Sequence, residues 1–425
     1  MTTEWFGRAL AGAAIAGMAV AGSASVSGQK GTESWGGVLD QHPRIAYRSR
    51  PTTDRVARLS QALASGAQSL RREPQTGYLA PILSALGVPV ESQLLVFSKT
   101  GVQREYTSPH MPRAIFFDQS VVVAHVPGAP VLELAAHDPQ QGVVFYTLDQ
   151  VAEPPVLRRQ TSCLACHVSA TTMYVPGMIV RSNTVDEGGN LMPRLGSYDV
   201  THATPHPDRW GGWYVTSDPL AVPYAQRAHS GNITFSPNGS TSNQVFIDWL
   251  NSEPERRGYL SPQSDIVALL VFDHQMRAMN LLTRLNWEAR VAADEGGSAV
   301  TTVRDLATEL ADYLLFLSEQ PPTVPLIARA GFAEQLAPRA PRDGRGRSLA
   351  QLDLTTRLLR YPCSYMVYSD AFDGLPPAVR QAVYARMIDV LSSPDRRLGD
   401  ARVSAADRQA VLEILRETRP DFPGH

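Results

Sequence analysis

The stretch "RAIFFDQSVVVAHVPGAPVLELAAHDPQQGVVFYTLD", residues 113–149, decides how this chain is read. It holds runs of β-branched and aromatic residues, "RAIFFD", "SVVVAHV", "VLELAAH" and "GVVFYTL", each closed by Asp, Pro or Gly. Short runs of this composition separated by turn residues predict an antiparallel meander. "QLLVFSK", from Gln93, adds a run before it, so residues 91–148 carry the strand signal.

Outward from the meander the character changes on both sides. On the N-terminal side, "TTDRVARLSQALASGAQSL" has helical spacing, with Val56, Leu59, Leu63 and Leu70 on one face and Thr53 as the N-cap. On the C-terminal side, residues 150–262 are rich in Pro, Gly and Trp and show little periodicity. So long a connection without regular structure is unusual, and wrapping a bound group accounts for it. From Ser261 onward helical periods dominate. "SDIVALLVFDHQMRAMNLLTRLNWEARVAAD" reads as one long helix capped by Ser264 or Asp265. "TVRDLATELADYLLFLS", "PPAVRQAVYARMIDVLSS" and "SAADRQAVLEILRE" follow it. The "APRAPRDGRGRS" stretch, 337–348, reads as an exposed, solvated loop. The expected fold class is α+β. It consists of N-terminal helices with an antiparallel β meander (25–150), a loop-rich segment (151–260) and a mainly helical C-terminal region (261–425), packed as one domain or as neighbours.

The chain has 425 residues, 43% hydrophobic and 19% charged, with a net charge of −2. That balance gives no electrostatic ground for nucleic acid or an anionic membrane surface as partner. Residues 1–24 read as an export signal: Arg8 in the charged region, Ala9 to Gly22 as the apolar region, and Gly22-Ser23-Ala24 for cleavage. No later stretch reads as a membrane span. The expected location is the periplasm or another exported compartment. Three cysteines are an odd count, which argues against a disulfide framework in such a protein. Cys363 is expected to be a buried, inert thiol.

The loop-rich segment contains Cys163-Leu-Ala-Cys166-His167. Two thiols at this spacing can each add to a vinyl group of one haem, and the histidine that follows is then placed as proximal ligand to its iron. A structural zinc site needs four ligands, and the remaining cysteine lies 197 residues downstream (363 minus 166). A thioredoxin-like pair belongs at a helix start in a βαβ setting, which this stretch lacks. One covalent haem c per chain is the expectation.

The other side of the iron decides what such a group does. His202, His229 and His274 are the candidate acid–base residues, and His274 or His229 is the candidate distal ligand. His274 shares an apolar helical stripe with Val267, Leu270, Val271, Ala278, Leu281 and Leu285, so a plain core role competes for it. Met173 and Met178 are near enough in sequence to reach the iron from a loop. His125 and His137 are expected at turns or strand edges of the meander, and His110 and His206 in loops. Arg181, Arg194 and Arg209 are the arginines of this segment singled out to pair with a haem propionate. Trp210 and Trp213 are candidate walls of the pocket, with core packing as the alternative.

The quoted meander, "TSCLACHVSATTMYVPGMIVRS", "DRWGGWYVTS", "YLSPQSDIVALLVFDHQ", "NLLTR" and "GRSLAQLDLTTRLLRYPCSYMVYSDAFDGLP" together resemble the exported "cytochrome c domain-containing" proteins of environmental bacteria. The resemblance covers most of the chain from about residue 90. It implies a monohaem c-type protein, with Cys163 and Cys166 attaching the haem and His167 ligating it. It also draws attention to His202, His229 and His274. Where relatives resemble "HMGN" this chain has His229-Ser230-Gly231-Asn232, and Met279 stands where relatives carry a histidine. Three functional classes are consistent with these features. The first is an electron carrier with a periplasmic redox partner. The second is a peroxidase- or oxidase-like haem enzyme with an open distal side, and the third a haem-based sensing or docking module.

Overall fold

The computed structural model describes residues 39–215, 257–295, 297–328, 331–393 and 403–424. The export-signal expectation for residues 1–24, and His229, lie outside them. The described residues fall in one compact unit, Trp35–His425, so the meander, the segment after it and the C-terminal part fold together.

Six strands form one antiparallel sheet in chain order: β1 (Leu94–Val96), β2 (Arg113–Phe117), β3 (Val121–His125), β4 (Val131–Asp138), β5 (Gly142–Asp149) and β6 (Leu157–Arg159). Local turn chemistry sets the register. Asp118 Oδ1 accepts from the amides of Ser120 and Val121 between β2 and β3, and Asp138 Oδ1 from those of Gln140 and Gln141 between β4 and β5. Gly142 begins β5 at φ +74°, and a Cβ there would stand 2.3 Å from Thr283 Cγ2. Only glycine fits both conditions.

Strand alternation sends side chains to two faces, and each face is covered. On one face Tyr146 donates to Asp54 beside the first helix, α1 (Arg55–Ala64), and α2 (Leu79–Leu86) packs nearby on β3. Asp54 caps α1 by accepting from Ala57 N; Thr53, the residue the sequence suggested, instead binds Asp138. The other face carries Phe117, Phe145 and His137 and meets the segment after β6 and the long helix.

After β6 come a single helical turn, α3 (Leu164–His167), and a small hairpin of β7 (Arg181–Asn183) and β8 (Ser197–Asp199). The segment expected to lack regular structure therefore contains β6, α3 and a two-stranded sheet. Its isolated bridge Val96↔Trp213 ties it back to β1.

The long helix α4 (Ile266–Glu295) is capped by Asp265, whose Oδ1 accepts from Val267 and Ala268. Ser264, the alternative cap, binds Leu95 N and Tyr214 O instead. Helix α5 (Ser298–Leu314) packs along α4; short α6 (Phe332–Leu336), short α7 (Asp370–Asp373), α8 (Pro377–Ser392) and α9 (Ala405–Thr418) complete the chain. Between α5 and α7 the described chain is mostly irregular apart from α6, within a C-terminal part that is otherwise mainly helical as expected. The 337–348 stretch is mostly exposed or half-exposed, as expected, but two of its arginines pin it: Arg339 lies over Phe117 and Phe332, and Arg347 binds Asp343 and Glu413.

From Ile266 to Glu288, α4 is buried on all sides apart from half-exposed Arg277 and Arg284. A helix so enclosed must give each polar side chain a protein partner. These partners connect the rest of the molecule: Gln275 accepts from Tyr365, Asn280 binds Met178, Thr283 meets His137, and Asn286 donates to Pro139 and Gly374. No helix among the described residues is long and apolar enough to cross a membrane.

Candidate functional site

The Cys163–His167 unit sits on the sheet. Gln160 continues the pairing of β6, donating its amide to Phe145 O, and the chain then turns into α3. Leu164 is buried and anchors that turn in the core, while Cys163 is half-buried and Cys166 exposed. Spacings of three and four residues bring Cys163, Cys166 and His167 to one side of the turn, opposite the need to bury Leu164.

One residue, Gly177, holds both the ring and the backbone of His167. The ring Nδ1 lies 2.8 Å from Gly177 O, and Gly177 N donates back to His167 O at 3.0 Å. A carbonyl only accepts, so the ring proton resides on Nδ1 and the Nε2 lone pair is left available. Burial holds the imidazole below its ordinary pKa, which also favours this neutral form. The ring rests against Phe145, with centroids 4.6 Å apart.

The intervening loop is tightly determined. Thr172 and Ser169 cap each other reciprocally, and Thr172 Oγ1 also donates to His167 O. Met173 and Tyr174 are consecutive non-glycine residues with φ of 56° and 60°. Such backbone costs of order 1–3 kcal/mol per residue and persists only where the surroundings enforce it. Here Arg284 of α4 donates to Met173 O, and Asn280 binds both backbone groups of Met178, N to Oδ1 at 2.9 Å and Nδ2 to O at 2.8 Å. The Met178 backbone is thereby held to α4 one residue beyond the carbonyl that binds His167.

Two charged groups stand on the same sheet face. Glu133 is diagonal to Phe145 across β4 and β5, and Arg113 reaches it from β2, Nη1 to Oε2 at 3.8 Å. Burial raises the Cys163 thiol pKa and Glu133 adds to that; Arg113 pushes His167 down and Glu133 pushes it up. Large apolar side chains are exposed close by in sequence: Tyr174, Leu191, Met192, Leu195 and Tyr198. An apolar ligand covering such a group is a physical reason for its exposure.

The other expected site residues fall elsewhere. Arg181 binds Asp199 and Thr171, tying the β7–β8 hairpin to the turn after His167. Arg194 is exposed on a 3-10 turn, and Arg209 is buried 3.9 Å from Asp273. Trp213 is buried, donates to Arg181 O and packs on Phe272; Trp210 is fully buried beside His206.

His202 and His274 are brought to each other. Their Nδ1 atoms lie 2.9 Å apart, and His274 Nε2 is 2.7 Å from Ser364 Oγ. Tyr313 and Phe316 of the α5 end stack on both rings. Burial drives His274 down to about 3 and His202 well below its ordinary value. Both ring nitrogens of His274 are thus engaged, and the described contacts of the pair include none with residues 163–178. His125 and His137, expected at turns or edges, are buried: His125 meets Gly258 O and His137 meets Thr283 Oγ1. His206 is buried too, whereas His110 is exposed. Cys363 is fully buried, its thiol pKa pushed far up by desolvation.

Gly177, Asn280, Phe145, Arg113 and Glu133 were not singled out by sequence reasoning. They come from four separate elements and a loop, and neither spacing nor periodicity connects them. The residues present fit a covalent haem: two uncrosslinked thiols and an imidazole with Nε2 available. Among the described residues no group of three or more His, Cys, Asp or Glu is arranged to hold a metal ion, so no four-ligand zinc centre is assembled there. No protein-family model, curated protein or solved structure matches the chain.

Proposed function

We propose that this protein is an exported monohaem c-type cytochrome that passes single electrons to a periplasmic redox partner. Cys163 and Cys166 would carry the thioether bonds, and His167 would bind the iron through Nε2. A haem so held supplies a one-electron couple. The chain's own residues supply position: Gly177 fixes the imidazole tautomer and plane, a carbonyl at Nδ1 being the usual outer partner of a metal-bound histidine. Asn280 and Arg284 hold the loop that carries Gly177, and Phe145 supports the ring. The observation that carries this reading is the His167–Gly177 hydrogen bond within a Cys-x-x-Cys-His turn.

An enzymatic reading asks for a free acid–base group beside the iron; of the candidates among the described residues, His202 and His274 are committed to each other and His274 also to Ser364.

The test is expression of the full chain in a host equipped for cytochrome c maturation. The wild type should be coloured and keep its pigment through acidified organic extraction, whereas Cys163→Ala/Cys166→Ala should release or lack it. Ferric low-spin spectra indifferent to carbon monoxide after reduction support electron carriage. A colourless or extractable wild type would overturn the haem assignment, and ready ligation with peroxide turnover would overturn the carrier.

A further inference from the structure

Resting on the haem reading above, we infer that Arg113 is the residue of this site that binds a carboxylate of the porphyrin. Of the arginines singled out from the sequence, Arg194 is exposed on its turn and Arg181 and Arg209 are engaged. Arg181 is held by Asp199 and Thr171, and Arg209 donates to Thr204 O and His202 O while facing Asp273. Arg284 is engaged by Met173 O and Glu288, and Arg159 by Tyr47 O and Arg50 O.

Arg113 differs. Its guanidinium makes a single hydrogen bond, Nη2 to Thr100 Oγ1 at a long 3.3 Å. Its Nη1–Glu133 separation of 3.8 Å exceeds hydrogen-bond length. Arg113 Nε and Glu133 Oε1 are both buried without a partner. A five-donor fork left this incompletely satisfied in a mostly buried position is costly, and an incoming carboxylate removes the cost.

Its placement also fits. Arg113 projects from the sheet face that bears Phe145, against which His167 rests, and it is one of the two charges acting on that imidazole. Close packing holds it there, since a Cβ on Gly101 would stand 2.1 Å from Arg113 Nη1. A planar fork matches a carboxylate with two parallel hydrogen bonds, which lysine cannot reproduce. Glu133 remains on the Nη1 side as a nearby counter-charge beyond hydrogen-bond distance.

The experiment is a redox titration of the haem-loaded full chain from pH 5 to 9, comparing wild type, Arg113→Gln and Arg113→Lys. Loss of the cation leaves the porphyrin carboxylate less stabilised as an anion. The pH-dependent part of the midpoint should move to higher pH in Arg113→Gln, and the midpoint at high pH should fall. Arg113→Lys should lie between the two. Should Arg113→Gln fail to fold, Arg113→Lys decides alone, because it keeps the charge and loses the fork. A pigmented wild type whose variants reproduce its midpoint at every pH overturns this assignment and leaves the haem reading standing. A colourless wild type overturns both.

Discussion

Asn280, in the middle of the buried helix α4, closes two hydrogen bonds with the backbone of Met178, one to its amide and one to its carbonyl. An extended residue is held there as if by a neighbouring strand, and the loop behind His167 is thereby fixed to the core. Replacing Asn280 with Ala leaves two backbone groups without partners. The expected cost is about 1–3 kcal/mol in urea unfolding. The Met178 amide should also lose protection in hydrogen exchange relative to the strands. Unchanged protection would show that the loop holds its position without this clamp.

Gly177 is pressed against the same side chain. A Cβ there would lie 2.4 Å from Asn280 Oδ1 and 3.0 Å from Thr172 Cβ. Gly177→Ala should therefore destabilise the protein by about 1–3 kcal/mol through overpacking. In the Asn280→Ala background the same change should cost less, because the clashing atom is gone. A double-mutant cycle measures this directly, and simple additivity would contradict the contact.

Stability should fall in mild acid. His125 and His137 are pushed down to about 4, and His206 and His274 to about 3, by burial. An unfolded histidine titrates near 6.5. Below that pH the unfolded chain takes up protons that the folded chain refuses. Their contribution is whole above about 6.5 and declines toward pH 4, by up to about 1.4 kcal/mol per pH unit for each group. Asp273 acts in the opposite sense. Burial raises it to about 7, so its contribution is present below its unfolded value and is lost as pH rises to 7. Asp54, also raised by burial, acts with Asp273, whereas His202, held well below its ordinary value, joins the four other histidines, and the urea midpoint should drop between pH 6.5 and 4.5. A midpoint that is flat or rises on acidification would contradict the buried neutral histidines.

Thiol chemistry should separate the cysteines in protein made without haem attachment. Cys166 is exposed, Cys163 half-buried and Cys363 fully buried. A maleimide should label Cys166 first under native conditions and reach Cys363 only after denaturation, as mass spectrometry of the labelled peptides would read. Native labelling of Cys363 at the rate of Cys166 would refute its burial.

The sheet was legible because its information is local. Runs of β-branched and aromatic residues and Asp, Pro and Gly turns act over a few residues, and they mark five of the six strands. The long helix was legible for the same reason, from Ile266 to Glu295. Misreadings arose where a distant partner decides. Asp138 draws Thr53 away from the cap of α1, and Thr283 and Gly258 turn His137 and His125 into core residues.

The site divides along the same line. Sequence alone determined the Cys163, Cys166 and His167 triad, since covalent spacing within one helical turn is enough to place three side chains together. Only the tertiary structure decided which groups surround it. Gly177 meets His167, Asn280 meets Met178, Arg113 approaches Glu133, and His202 pairs with His274 instead of facing the cysteines. Each of these contacts joins residues on different elements. Their proximity comes from burying one helix against one sheet face, a global minimum of exposed apolar surface and unsatisfied polar groups that no local window of sequence contains.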